Sequence, residues 1–202
     1  SSDFASDYLR IGIDATNIRL GGGITHLVEL LGALEPSSLG IGKVIIWGGK
    51  NTLAHLPDRP WLCKISPASL NGKLLSRVQT FSLSHCACEA RCDVLFVPGG
   101  SYLGNFHPVV TMSQNLLPFE WSEVMRNGIS VFSLKMLVLR WVHSWSFRRS
   151  EGVIFLTQYA KNAVLKVTGK LSAQTAVIAH GLSTRFGRVS KSFNSVTQYS
   201  QD

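Results

Sequence analysis

The feature that most limits the fold is a series of seven short β-rich runs, at residues 10–15, 43–47, 61–65, 93–97, 108–112, 152–156 and 176–179. The first alternates; most of the others are nearly continuous in apolar residues. Strands of that kind are buried on both faces, the condition of a parallel sheet covered by helices. Helical spacing fills the gaps. Ile24, Leu27, Val28, Leu31 and Leu34 recur at intervals of three and four before Pro36 ends the pattern. Residues 70–91 and 130–149 read as helices, and Thr157 stands where it caps one running to Val167. The chain therefore reads as an α/β protein, a Rossmann-like parallel sheet with helices on both faces. Its 202 residues suit one such domain. Residues 9–182 are assigned to it and residues 1–8 to a disordered or added leader.

Composition removes other classes. Apolar residues make up 45% and charged residues 16%, which excludes disorder. No uncharged apolar run approaches the ~18 residues of a membrane span. Basic residues number 20 against 12 acidic, a formal net charge of +8. Residues 1–120 carry nine of each sign, so the whole excess lies in 121–202, where a polyanion or an anionic surface is the natural complement. Cys63, Cys86, Cys88 and Cys92 lack the C-x2-C knuckle of a zinc site and read as free thiols packed as small hydrophobes. No metal is expected, and free thiols point to a reducing cytoplasm.

Parallel sheets bind ligands at the carboxyl ends of their strands. The polar loops at 14–26, 98–107, 113–120 and 157–159 all follow strands and should gather along one edge. Gly21, Gly22 and Gly23 precede a helix, whose exposed N–H groups and positive end attract anions. This is not a dinucleotide fingerprint, because His26 takes the place of its third glycine. Nor is it a phosphate loop: Gly49-Lys50 is followed by Asn51, and Val44 replaces the first glycine. Gln114 and Asn115 follow a buried run. Their amides either hydrogen-bond sugar hydroxyls or satisfy the loop backbone, and neither ionises near neutral pH.

Five segments in this order resemble glycosyltransferase family 4. They are residues 11–34 with the Gly21-Gly22-Gly23 loop, Asp93-Val94-Leu95-Phe96-Val97-Pro98-Gly99-Gly100, and Ser113-Gln114-Asn115-Leu116-Leu117-Pro118-Phe119-Glu120. The last two are Gly152-Val153-Ile154-Phe155-Leu156-Thr157-Gln158-Tyr159-Ala160-Lys161 and Val177-Ile178-Ala179-His180-Gly181-Leu182. The resemblance covers about residues 9–186. It implies one half of a GT-B fold, two Rossmann-like domains facing across a cleft. The chain resembles the acceptor half of a retaining enzyme that moves a sugar from a nucleotide sugar to a glycan or lipid-linked acceptor, as in cell-surface polysaccharide synthesis. Residues 183–202 then correspond to the hinge and the start of a carboxyl-terminal donor domain, whose Glu-x7-Glu pattern is absent here. No tightly bound cofactor is implied, and the nucleotide sugar enters as substrate. The resemblance makes Asn17, Gly21, Gly22, Gly23, His26, Gly99, Gly100, Asn115, Thr157 and His180 substrate-binding. It puts Gln114 where many relatives carry a histidine that meets the transferred sugar. Glutamine hydrogen-bonds there but shuttles no proton. Two other classes fit the composition: a scaffold domain that kept the fold without chemistry, and a basic nucleic-acid-binding module. The second is disfavoured because the aromatic residues cluster on a helix, not interleaved with basic residues on a sheet.

That helix, at 130–149, carries the basic excess. Leu134, Val138, Trp141 and Trp145 form one apolar stripe, with Ser133, Arg140 and Ser144 opposite. Five basic residues and no acid lie between Glu123 and Glu151. Two arrangements satisfy the pattern. The stripe packs on the sheet with the basic residues in solvent, or it meets an anionic membrane surface on the cytoplasmic side. His143 is expected on the exposed side.

Overall fold

In the computed structural model the described residues are 8–18, 21–67, 76–120 and 131–179, with the backbone alone over 76–82. Seven parallel strands form one sheet: β1 (Leu9–Ala15), β2 (Ile41–Gly48), β3 (Leu62–Ile65), β4 (Val94–Val97), β5 (Val109–Ser113), β6 (Gly152–Phe155) and β7 (Gln174–Val177). Their order across the sheet is β3-β2-β1-β4-β5-β6-β7. The helices are α1 (Gly22–Ala33), α2 (Lys50–Ala54), α3 (Ser76–Glu89), α4 (Val131–Arg149) and α5 (Gln158–Thr168). All seven sequence runs are strands. The last begins two residues earlier than its apolar run and ends at Val177. The short α2 is the one described helix that the apolar periodicity did not indicate.

Both faces of the sheet are covered. Leu27 and Leu31 of α1 bury against Ile13, Ala15, Val44 and Ile46. On the other face Leu83 and Ala87 of α3 pack on Ile45, Trp47, Leu95 and Val97. Further along that second face, Phe147 of α4 and Ala160 and Val164 of α5 close over Val153 and Phe155. Thr157 caps α5 as its position predicts, accepting from the Ala160 N–H at 3.0 Å.

The four cysteines are free thiols. Cys92 belongs to the core under α3, and burial pushes its thiol up to about 11, so it packs as a neutral hydrophobe.

Gly12 shows how tightly the centre of the sheet is fitted. A Cβ there would lie 2.9 Å from Trp47 Cζ3, 3.1 Å from Cys92 Sγ and 3.1 Å from Leu95 Cδ1. The fully buried Trp47 ring occupies the space a side chain would need. Gly12→Ala should therefore lower stability by about 1–3 kcal/mol through overpacking. Urea unfolding checks this: the midpoint falls while the denaturant slope stays constant.

Candidate functional site

The strand order reverses direction at β1. The chain steps outward through β2 and β3, then returns through α3 to β4 on the other side of β1. Open parallel sheets form their ligand crevice at such a reversal, outside the carboxyl ends of the strands. Gly99, after β4, lies beside the β1 loop: a Cβ on it would come within 3.9 Å of Asn17 Cβ. Gly23, in the first turn of α1, lies beside the β5 loop: its Cβ would stand 3.9 Å from Gln114 Oε1. Tyr159, at the start of α5, donates its hydroxyl to Glu120 Oε1 at 2.9 Å, which joins the fourth loop to the third. The four polar loops thus share one edge.

The amino end of α1 is open. Gly21 is its N-cap at φ 124°, a conformation suited to glycine, and it offers the helix no side-chain cap. Gly22 faces open space, whereas a Cβ on Gly23 would meet Ile18 Cγ2 at 3.1 Å. His26 is half-buried within α1. Gln114 and Asn115 are exposed, but they divide the two roles open to amides. Asn115 Oδ1 accepts from the Leu117 N–H at 3.1 Å and shapes the turn at Leu117–Phe119. Gln114 Oε1 faces the glycine loop. Thr157 is engaged as a helix cap. His180 lies outside the described residues.

Buried polar groups lie below this edge, Asp14 among them. Asp14, next to last in β1, is almost fully buried, and its Oδ1 accepts from the Thr16 N–H at 2.9 Å and Thr16 Oγ1 at 2.6 Å. Burial raises its pKa above the ordinary carboxylate value, against the pull of those two bonds. Its signal in the sequence is an acid closing an apolar strand just before a polar turn. His143 corrects the expectation of an exposed side chain: it is 5% exposed, packed between Phe119 and Phe147. A Cβ on Gly100, which has φ 73°, would stand 3.8 Å from its Nδ1 and Cε1. His143 Nδ1 and Ser113 Oγ are buried without a hydrogen-bond partner. Burial lowers the imidazole to about 4, so the ring is neutral at pH 7.

The loop above them is pinned to α4. Ser146 Oγ accepts from the Tyr102 N–H at 2.8 Å and lies 2.9 Å from the Tyr102 carbonyl. The Tyr102 hydroxyl donates to the Phe106 carbonyl at 3.0 Å and accepts from the Phe106 N–H at 2.8 Å. No group of three or more metal-capable side chains occurs among the described residues. A pocket of about 510 Å³ beside Leu34, Ile41 and Trp61 opens at the amino ends of β2 and β3, the far edge of the sheet. The crevice itself offers amide hydrogen bonds and an open helix end. That chemistry holds an anion or a hydroxylated ligand without moving a proton.

No family model and no curated protein matches the sequence.

The buried imidazole makes stability pH-dependent. Its folded pKa lies below the ordinary 6.5, so between pH 6.5 and about 4 the unfolded chain binds a proton that the folded chain refuses. This contribution is complete above pH 6.5 and is lost as pH falls through that window. In His143→Leu the dependence should vanish. Urea unfolding at pH 7 and pH 4.5 should shift the stability difference by about 2 kcal/mol in favour of the variant. A difference constant with pH would mean that the ring titrates alike in both states.

Proposed function

We propose that this chain is the amino-terminal, acceptor-side domain of a retaining GT-B glycosyltransferase of the family 4 type. A second Rossmann-like domain would hold the nucleotide sugar across the crevice. The observation that carries the reading is the seating of Gly23 beside Gln114 at the carboxyl edge of the sheet. The sequence resemblance assigns substrate contacts to these two segments, which lie far apart in the chain.

The chemistry suits the role. When a glycosidic bond to diphosphate breaks, negative charge grows on the leaving group and fixed donors stabilise it. The end of α1, where Gly21 gives no side-chain cap, supplies N–H groups for part of that charge. Gln114 hydrogen-bonds a hydroxyl of the transferred sugar and orients it. The acceptor, a glycan or a lipid-linked sugar, enters on this domain's side, and the work is cytoplasmic.

The test compares these 202 residues with a longer chain in which a donor domain follows them. Radiolabelled UDP-glucose, UDP-galactose, UDP-N-acetylglucosamine and GDP-mannose serve as donors and a membrane extract as acceptor. The longer chain should transfer one of the four sugars, and the 202 residues alone none. Gly22→Val in the longer chain should lower turnover about tenfold or more with little change in melting temperature, since the new side chain fills only open crevice. Turnover at the wild-type level in that variant would reduce the loop to a turn. Neither binding nor transfer of any of the four donors would favour a scaffold that kept the fold without the chemistry.

A further inference from the structure

Helix α4 carries a second apolar stripe that faces outward. Leu134, Val138, Trp141 and Trp145, the stripe that would pack on a sheet, are 64%, 49%, 65% and 43% exposed. Met136, His143 and Phe147 face inward instead, flanked by the buried Ser133, Ser144 and Ser146. At ~100° per residue the four apolar positions fall within about 60° of one another, opposite the buried Met136, His143 and Phe147. Exposed Val131 and Leu137 widen the stripe. Trp141 and Trp145 stack at 5.9 Å, and the Arg149 guanidinium lies 5.7 Å from the Trp145 ring centroid.

Charge borders this surface. By the same helical count Arg148 and Arg149 fall on opposite sides of the stripe, about one turn past Trp145, and Lys135 flanks its start. Helix α4 carries four basic residues and no acid. Across 131–179 there are seven basic residues, and Glu151 is the single acid. Arg148 also donates to the Thr168 carbonyl at 3.0 Å, tying the end of α4 to the end of α5.

We propose that the outer face of α4 docks flat on an anionic lipid bilayer. An apolar centre with indoles and a cationic border matches the headgroup boundary, where indole rings settle and arginines reach phosphate. Nineteen residues give a helix about 28 Å long, enough to lay the whole stripe in the interface. No described helix is long and apolar enough to cross a membrane, so the contact is peripheral. A second copy is a poorer occupant, since two α4 faces would bring basic borders together with no acid to pair them. Nucleic acid is poorer again, because the centre of the face is aliphatic and indole. The inference is independent of the glycosyltransferase reading, and its readout involves no sugar.

The experiment is co-sedimentation of the 202-residue chain with vesicles of phosphatidylcholine alone or with 30% phosphatidylglycerol. Binding should require the anionic lipid. It should fade between about 0.1 M and 1 M salt as the screening length contracts from about 10 Å to about 3 Å. Trp141→Ser with Trp145→Ser should weaken binding about tenfold or more. So should Lys135→Glu with Arg149→Glu, at about fivefold per surface charge. All four side chains are exposed, so the variants should fold, which circular dichroism checks. Brominated acyl chains should quench tryptophan fluorescence in the wild type and not in the double tryptophan variant. Three results would overturn the proposal: no binding at low salt, equal binding to neutral vesicles, or folded variants that bind like wild type. A dimer in sedimentation that the tryptophan substitutions dissolve would assign the face to a second copy instead.

Discussion

Parallel pairing is the constraint from which the rest follows. Each pair of adjacent parallel strands needs a crossover long enough to return the chain to the same end, and such crossovers are right-handed. Stepping outward from β1 to β3 puts α1 on one face. Stepping back to β4 and on to β7 puts α3, α4 and α5 on the other. Every strand then ends at the same edge. The reversal at β1 sets the loops after β1 and β4 side by side at that edge, with Asn17 beside Gly99. The crevice is a product of strand order before it is a product of any side chain.

A second dependence runs through the loop after β4. Its backbone passes over the amino-acid side chains of α4 and leaves polar groups out of water. Ser146, Tyr102 and Ser84 satisfy them: the Asn105 N–H donates to Ser84 Oγ at 3.0 Å, and Ser84 Oγ lies 3.1 Å from the Tyr102 hydroxyl. A buried polar group without a partner costs about 1–3 kcal/mol, so a helix facing that loop must present hydroxyls inward. On α4 that hydroxyl is Ser146. The same packing places His143 under Gly100, where the loop's positive φ removes the side chain that would crowd Met112 and the ring.

The crevice combines an open helix end and amides above with two titratable groups held uncharged or reluctant below. Burial opposes ionisation of both Asp14 and His143, in opposite directions of pKa. Such a site recognises and orients. Within the proposed glycosyl transfer this division has a physical sense: the acceptor half fixes geometry, and the stronger charge needed by a departing diphosphate comes from the facing domain.

The sequence by itself determined the seven strands, the extent of α4, the cap at Thr157 and the parallel class. These follow from local periodicity, turn residues and short apolar runs, which act over a few residues. Even the gathering of the loops could be read, because parallel strands leave no other edge for them. Only the tertiary structure decided that Gly23 and Gln114 are neighbours, that Asp14 and His143 are buried, and that the apolar stripe of α4 faces outward. The reason is the same for each. Periodicity states which residues share a face, but what that face meets depends on segments distant in the chain. For α4 the inward face is the one that carries Met136, His143 and Phe147, with Ser146 bonded to the backbone of Tyr102, and this leaves Leu134, Val138, Trp141 and Trp145 outside.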